Sequence, residues 1–281
     1  ALGLVSRSPA WLTAIHAQPM FLGLDLRGGV HFMLQVDMRT AITKRLDTLA
    51  NDIRIALREK DVRHGGISRE GNSIVIGAMT PLWQIKISPV IQEFAGGAIS
   101  KAISDVADKN VQRYGTLGGV ISGKAPFSVL LPILLSLHVD VQLQDKGCMS
   151  LDDYLHCPPM GELVTGISIA KEAVYTAYKA YRKLPADEPY LVGAVAMRED
   201  SWCIVVGGRP GLAAIARSAS EELTEKGMAV KENVAHLASE ELDFGNFGTC
   251  SEEERRALTI DMVRGLIKSA WKGYNRYVVK K

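Results

Sequence analysis

The chain has 281 residues, 47% of them hydrophobic and 23% charged, enough to bury a sizeable core and too apolar for a disordered tail. A formal charge of +2, from 33 basic and 31 acidic residues, is spread along the sequence without a basic stripe, which argues against nucleic acid as a partner. The longest apolar run, Val129 to Leu137, is broken by Pro132 and followed by His138 and Asp140. It falls short of the roughly 20 residues that a spanning helix needs, so neither a membrane segment nor a secretory signal peptide is expected.

In chain order, 30-VHFMLQVD-37 alternates as a half-buried strand does. Ile42, Leu46, Leu49, Ile53 and Leu57 then recur at helical spacing between Arg39 and Lys60. The stretch 65-GGISREGN-72 reads as a turn and 73-SIVIGAM-79 as a second strand, expected to lie beside 30–36 with the helix packed across both. Helical spacing through Ile99, Ile103 and Val106 predicts a helix over 94–112 that delivers the chain to a Gly-rich loop at 116-TLGG-119. Another helix is predicted within 129–137, with Pro132 in its first turn, where a missing N–H is harmless. Strands are predicted at 139–144 and 162–169, and a strand pair at 190–197 and 202–208 around 198-REDS-201. Helices follow at 212–227 and 230–242. The last opens with a Ser251/Glu254 capping box and turns Leu258, Met262, Leu266 and Trp271 towards the core, with 252-EEE-254 as a solvated first turn. The fold class is α+β.

Cys148, Cys157, Cys203 and Cys250 stand far apart, with no C-x-x-C pair to suggest zinc or an iron–sulfur cluster. Reduced thiols in a cytoplasmic protein are the expectation.

Two resemblances meet in this chain. The segment 10-AWLTAIHAQPMFLGLDLRGGVHFMLQVDM-38, with its GLDLRGG core at Gly23 to Gly29, resembles the first periplasmic segment of the SecD family of protein-export subunits, and the likeness continues to about residue 75. From about Ser73 onward, the ordered blocks 74-IVIGAMTPL-82, 111-VQRYGTLGG-119, 130-LLPILLSL-137 and 150-SLDDYL-155 resemble the FAD-binding flavoprotein subunit of the molybdenum hydroxylases, the xanthine and CO dehydrogenase type. The blocks 190-YLVGAVAM-197 and 254-ERRALTIDMVRGLI-267 are similar to that family's second domain. The chain therefore reads as a hybrid of a SecD periplasmic-like β-α-β segment (1–72), an FAD-binding type 2, PCMH-like lobe without its first half (73–170), and a flavoprotein C-terminal-like α+β domain (171–281).

The flavoprotein resemblance implies FAD, and implies flavin contacts at Thr116, Leu117, Gly118, Gly119, Val120, Ser122 and Val164, with Lys179 and Lys183 near the family's basic contact. Backbone N–H groups of a Gly-rich turn would reach ligand oxygens there. Val120 and Val129 stand where the typical family loop supplies Asn and Asp, and the lobe with a Gly-Gly-Thr or Gly-Gly-Ser phosphate loop is not found. Gly28 and Gly29 read as a structural turn, and FAD binding is expected to be weak. His138 can approach a flavin or, more simply, end a helix or lie at the surface. The implied function is an electron-transfer subunit working with iron–sulfur and molybdopterin subunits and passing electrons to NAD or another acceptor. The alternatives are a flavin-free scaffold that keeps the fold and an accessory fragment related to SecD export.

Overall fold

The computed structural model describes residues 65–279, except 107, 185–186, 200 and 247–249, together with Arg45, Thr48 and Asp52. Contacts divide the chain into two compact units, Ala1–Asn51 and Asp52–Lys281, and the elements below lie in the second. The strand expected at 30–37, the Gly28–Gly29 turn and nearly all of the helix expected at 39–60 fall outside the described residues, as does most of the SecD-like segment.

The first sheet is antiparallel. It is built from β1 (Ile67–Glu70), β2 (Ser73–Gly77), β3 (Asp140–Leu143), β4 (Gly147–Ser150) and β5 (Val164–Ala170), in the order β1-β2-β5-β3-β4. Strand β1 corrects the sequence reading of 65–72 as a turn. Only Gly71 and Asn72 turn, with Gly71 at φ +57°, and Ile67 to Glu70 pair with Ile76 to Ser73. The short ISRE segment was hidden by its flanking glycines. Strand β2 buries Ile74 and Ile76 and pairs with β1 on one edge and β5 on the other. Both edges of β2 are thus filled within the described residues.

Between β2 and β3 run six short helices: α1 (Leu82–Ile87), α2 (Pro89–Glu93), α3 (Ala98–Ser104), α4 (Lys109–Tyr114), α5 (Leu117–Gly123) and α6 (Leu130–Ser136). The single helix expected over 94–112 is broken twice. Ala95, Gly96 and Gly97 have φ of 50°, 70° and 74°, in the left-handed region, so the chain kinks before α3. It leaves helix again after Ser104 and restarts where the Asp108 carboxylate accepts the Asn110 N–H at 2.7 Å, as an N-cap does. Helix α6 is buried along its whole length, as an all-apolar helix must be, and Pro132 sits in its first turn as expected. His138 follows it at φ 51°, exposed, with its N–H on the Leu135 carbonyl at 3.1 Å, which makes it a helix terminator. The short α7 (Leu151–His156) starts from Ser150, whose hydroxyl accepts the Asp153 N–H at 3.0 Å.

The second sheet is also antiparallel, with β6 (Val174–Tyr181), β7 (Leu191–Arg198), β8 (Trp202–Gly207) and the two-residue β9 (Ala214–Ile215) in sequence order. Every residue of β7 is buried, because alternate side chains serve two cores. Val192, Ala194 and Ala196 join the core around α6, whereas Leu191, Val195 and Met197 meet the core formed by α8 (Arg217–Lys226), α9 (Lys231–Glu241) and α10 (Glu252–Val279). The capping box of α10 forms in both directions: Ser251 N–H donates to Glu254 Oε2 at 2.9 Å, and Glu254 N–H donates to Ser251 Oγ at 3.2 Å. Met262 and Leu266 enter the core as expected. Trp271 does not: it is 41% exposed and stacks on Trp202 at 6.4 Å between ring centroids.

Candidate functional site

The segment that the sequence presents as a Gly-rich loop is the first turn of α5. Thr116 is its N-cap, with its side-chain oxygen accepting the Gly119 N–H at 3.2 Å, and Leu117, Gly118 and Gly119 are already helical. The reason lies upstream. After β2 the chain passes through Ala78 and Thr80, and Pro81 forms an isolated antiparallel bridge with Thr116. Ala78 and Thr80 then offer their carbonyls to the start of α5: Gly118 N–H donates to Ala78 O at 2.7 Å and Leu117 N–H to Thr80 O at 3.1 Å. Val120 N–H closes the first helical bond on Thr116 O at 3.1 Å.

This overturns the expected mechanism of the loop. All four N–H groups from Leu117 to Val120 have protein partners, so they do not form a nest open to ligand oxygens. The two glycines serve different purposes. A Cβ on Gly118 would lie 2.9 Å from Ala78 Cβ and 3.1 Å from Ala78 O, so glycine is what lets α5 dock on the end of β2. A Cβ on Gly119 would meet only Thr116 Oγ1, at 3.3 Å, and Gly119 is exposed. It leaves floor space free.

That space is a cleft of about 680 Å³, within the range that small-molecule and cofactor pockets occupy. Thr116, Gly119 and Val120 line one side, Val106, Asp108 and Val111 another, and the connection from Ala125 to Leu130 a third. The rest comes from more than fifty residues downstream, where Arg182, Glu188 and Pro189 reach in from the β6–β7 connection. Arg182 is anchored through a guanidinium bond to the Asp105 carbonyl, while its Nε is buried with no hydrogen-bond partner. Tyr178 donates its hydroxyl to the Asp105 carboxylate. Burial first, and then the Asp105 hydrogen bond and charge, push the Tyr178 phenol well above its usual range, so it stays protonated.

The structure brings together only some of the residues named from sequence. Thr116, Gly119 and Val120 line the cleft, as does Val129. Leu117 and Val164 are buried in the core and do not line the cleft, and Ser122 is exposed on α5 away from the lining. Lys179 and Lys183 do not line it: Lys179 donates to Tyr181 Oη at 3.0 Å, and Lys183 is exposed. Arg182, one residue before Lys183, is the basic side chain at this position. The sequence contained that signal, a cation just after an alternating strand, but the register of β6 was needed to choose among three neighbouring cations.

Against this geometry the comparisons with known proteins are decisive for the fold. Residues 60–171 match the FAD binding domain in molybdopterin dehydrogenase. That domain contributes β1 to β5 and the α5 side of the cleft, and ends before Arg182. The chain is similar to a carbon monoxide dehydrogenase structure from Hydrogenophaga pseudoflava which lacks the Mo-pyranopterin moiety of the molybdenum cofactor, with a TM-score of 0.66 at 21% identity over 74% of this chain and 78% of that one. It is 28% identical over 158 residues to the uncharacterized protein YgfM of Escherichia coli K12, 56% of this chain and 59% of that protein. A stretch of 72 residues is 50% identical to the protein translocase subunit SecD of the same organism, 26% of this chain and 12% of SecD. The chain thus spans about an eighth of SecD and somewhat over half of YgfM. The resemblances to a molybdenum-hydroxylase FAD-binding domain and to SecD both hold.

Proposed function

We propose that this chain is a flavin-binding electron-transfer subunit of a molybdenum-hydroxylase-type oxidoreductase, acting in the cytoplasm beside subunits that carry iron–sulfur clusters and molybdopterin. The observation that carries this reading is the cleft at the start of α5, most of whose lining lies in the matched FAD-binding domain and which is built largely from the apolar side chains Val106, Val111, Val120, Phe127, Val129 and Leu130. An isoalloxazine is a flat, largely apolar ring system with a polar edge. These residues fit such a ring: the walls are largely apolar, Gly119 leaves room over the helix turn, and the Arg182 side chain lies in the lining.

When bound, the flavin supplies the redox chemistry, and the protein supplies position and electrostatics. Here the chain's own part is to hold the ring between the α4–α5 side and the 125–130 connection and to set a guanidinium charge near it. NAD as acceptor is implied by the resemblance alone, and the SecD-like stretch matches 12% of SecD's length.

Reconstitution tests this reading. The purified chain titrated into FAD should progressively perturb the flavin absorption bands and quench the flavin fluorescence. FAD whose spectrum stays that of the free cofactor at every protein concentration would leave the flavin-free scaffold in its place.

A further inference from the structure

The same cleft says which part of a flavin it can recognise, and this inference rests on the flavin reading above. Phosphate recognition needs donors or cations aimed at the ligand, from backbone N–H groups, arginine or lysine. The backbone donors at α5 are spent on Ala78, Thr80 and Thr116. Among the described residues, the charged side chains lining the cleft are two carboxylates, Asp108 and Glu188, and one cation, Arg182. Arg182 already holds the Asp105 carbonyl, and the Asp108 carboxylate is fixed in place by the Asn110 N–H.

Two nearby cations are turned elsewhere. Lys124, at the end of α5, donates its ammonium to the carbonyls of Tyr154 and Leu155 at 3.0 and 2.9 Å, at the C-terminal end of α7. Arg113 lies over the Tyr114 ring, with its guanidinium carbon 5.6 Å from the centroid. The lining is therefore apolar with a net negative rim, a setting that welcomes a neutral ring and disfavours a phosphate.

We infer that the described lining of the cleft recognises the isoalloxazine ring alone and makes no net favourable contact with the phosphates or adenosine of its ligand, so that riboflavin, FMN and FAD bind it with equal affinity. This departs from a site specialised for FAD. The ligand tail extends away from the walls that provide the binding, and the carboxylates at the rim offset any attraction its phosphates would gain from Arg182.

The test is a titration of the full chain with riboflavin, FMN and FAD separately, at low and at high salt, read by flavin fluorescence quenching and calorimetry. The three dissociation constants should agree within about fivefold, a spread of roughly 1 kcal/mol. FMN affinity should stay flat or rise with salt, as screening removes repulsion from Asp108 and Glu188. Binding of FMN or FAD more than about fivefold tighter than riboflavin, or FMN binding that weakens with salt, would show that phosphate or adenosine is recognised and would overturn the inference while the flavin reading stands. Failure of all three ligands to bind would remove the flavin reading and this inference together.

Discussion

Replacing Arg255 by alanine should lower the melting temperature by about 10 °C or more. Arg255 is 0% exposed near the start of α10, and its guanidinium ties three segments together. Its Nε donates to the Tyr190 carbonyl at 3.1 Å, and Nη1 donates to the carbonyls of Gly245 and Cys250 at 2.7 Å each. Alanine leaves those carbonyls without these donors and opens a cavity. A buried polar group left unsatisfied costs about 1–3 kcal/mol, so a total of about 3–5 kcal/mol is expected. Lysine should rescue little, because one ammonium does not reproduce the planar fork that reaches both Tyr190 and the 245–250 connection. A melting temperature within about 2 °C of the unsubstituted chain would show that water replaces the guanidinium without cost.

Gly119→Val should reduce flavin binding by about a hundredfold or more while leaving the fold intact. The helix tolerates the change, since valine is no worse than glycine in helix propensity and, among the described residues, the close neighbour of the new Cβ is Thr116 Oγ1 at 3.3 Å. The side chain would instead stand in the cleft floor that the ring requires. Gly118→Val is the contrasting variant: its Cβ would collide with Ala78 at 2.9 Å, so it should cost stability by pushing α5 off the end of β2. Unchanged flavin affinity in a folded Gly119→Val protein would mean that the ring lies elsewhere.

Features of this fold written in local patterns were legible in the sequence. The Ser251/Glu254 capping box is a three-residue signal, and both of its hydrogen bonds form. The pair of strands around Arg198 to Ser201 was visible because apolar runs flank a polar turn, and β7 and β8 pair there from Val192↔Gly207 to Met197↔Trp202. What stayed hidden depends on distant partners. The fate of the Gly118 and Leu117 N–H groups was decided by carbonyls at Ala78 and Thr80, nearly forty residues earlier, and no spacing rule reveals such pairing. Strand β1 was missed because four residues between Gly66 and Gly71 carry almost no periodic signal. For the site, Thr116, Gly119 and Val120 could be named from the motif, but Arg182, Glu188 and Pro189 enter the cleft only through the packing of the second sheet.

Hydrogen–deuterium exchange of the full chain with and without saturating FMN shows whether the α5 cleft holds the flavin ring. Added protection is expected at 106–130 and around Arg182 to Pro189, with no change along α8 and α9. Protection confined to α8 and α9, or to the first unit, with residues 115–130 unaffected, would contradict it.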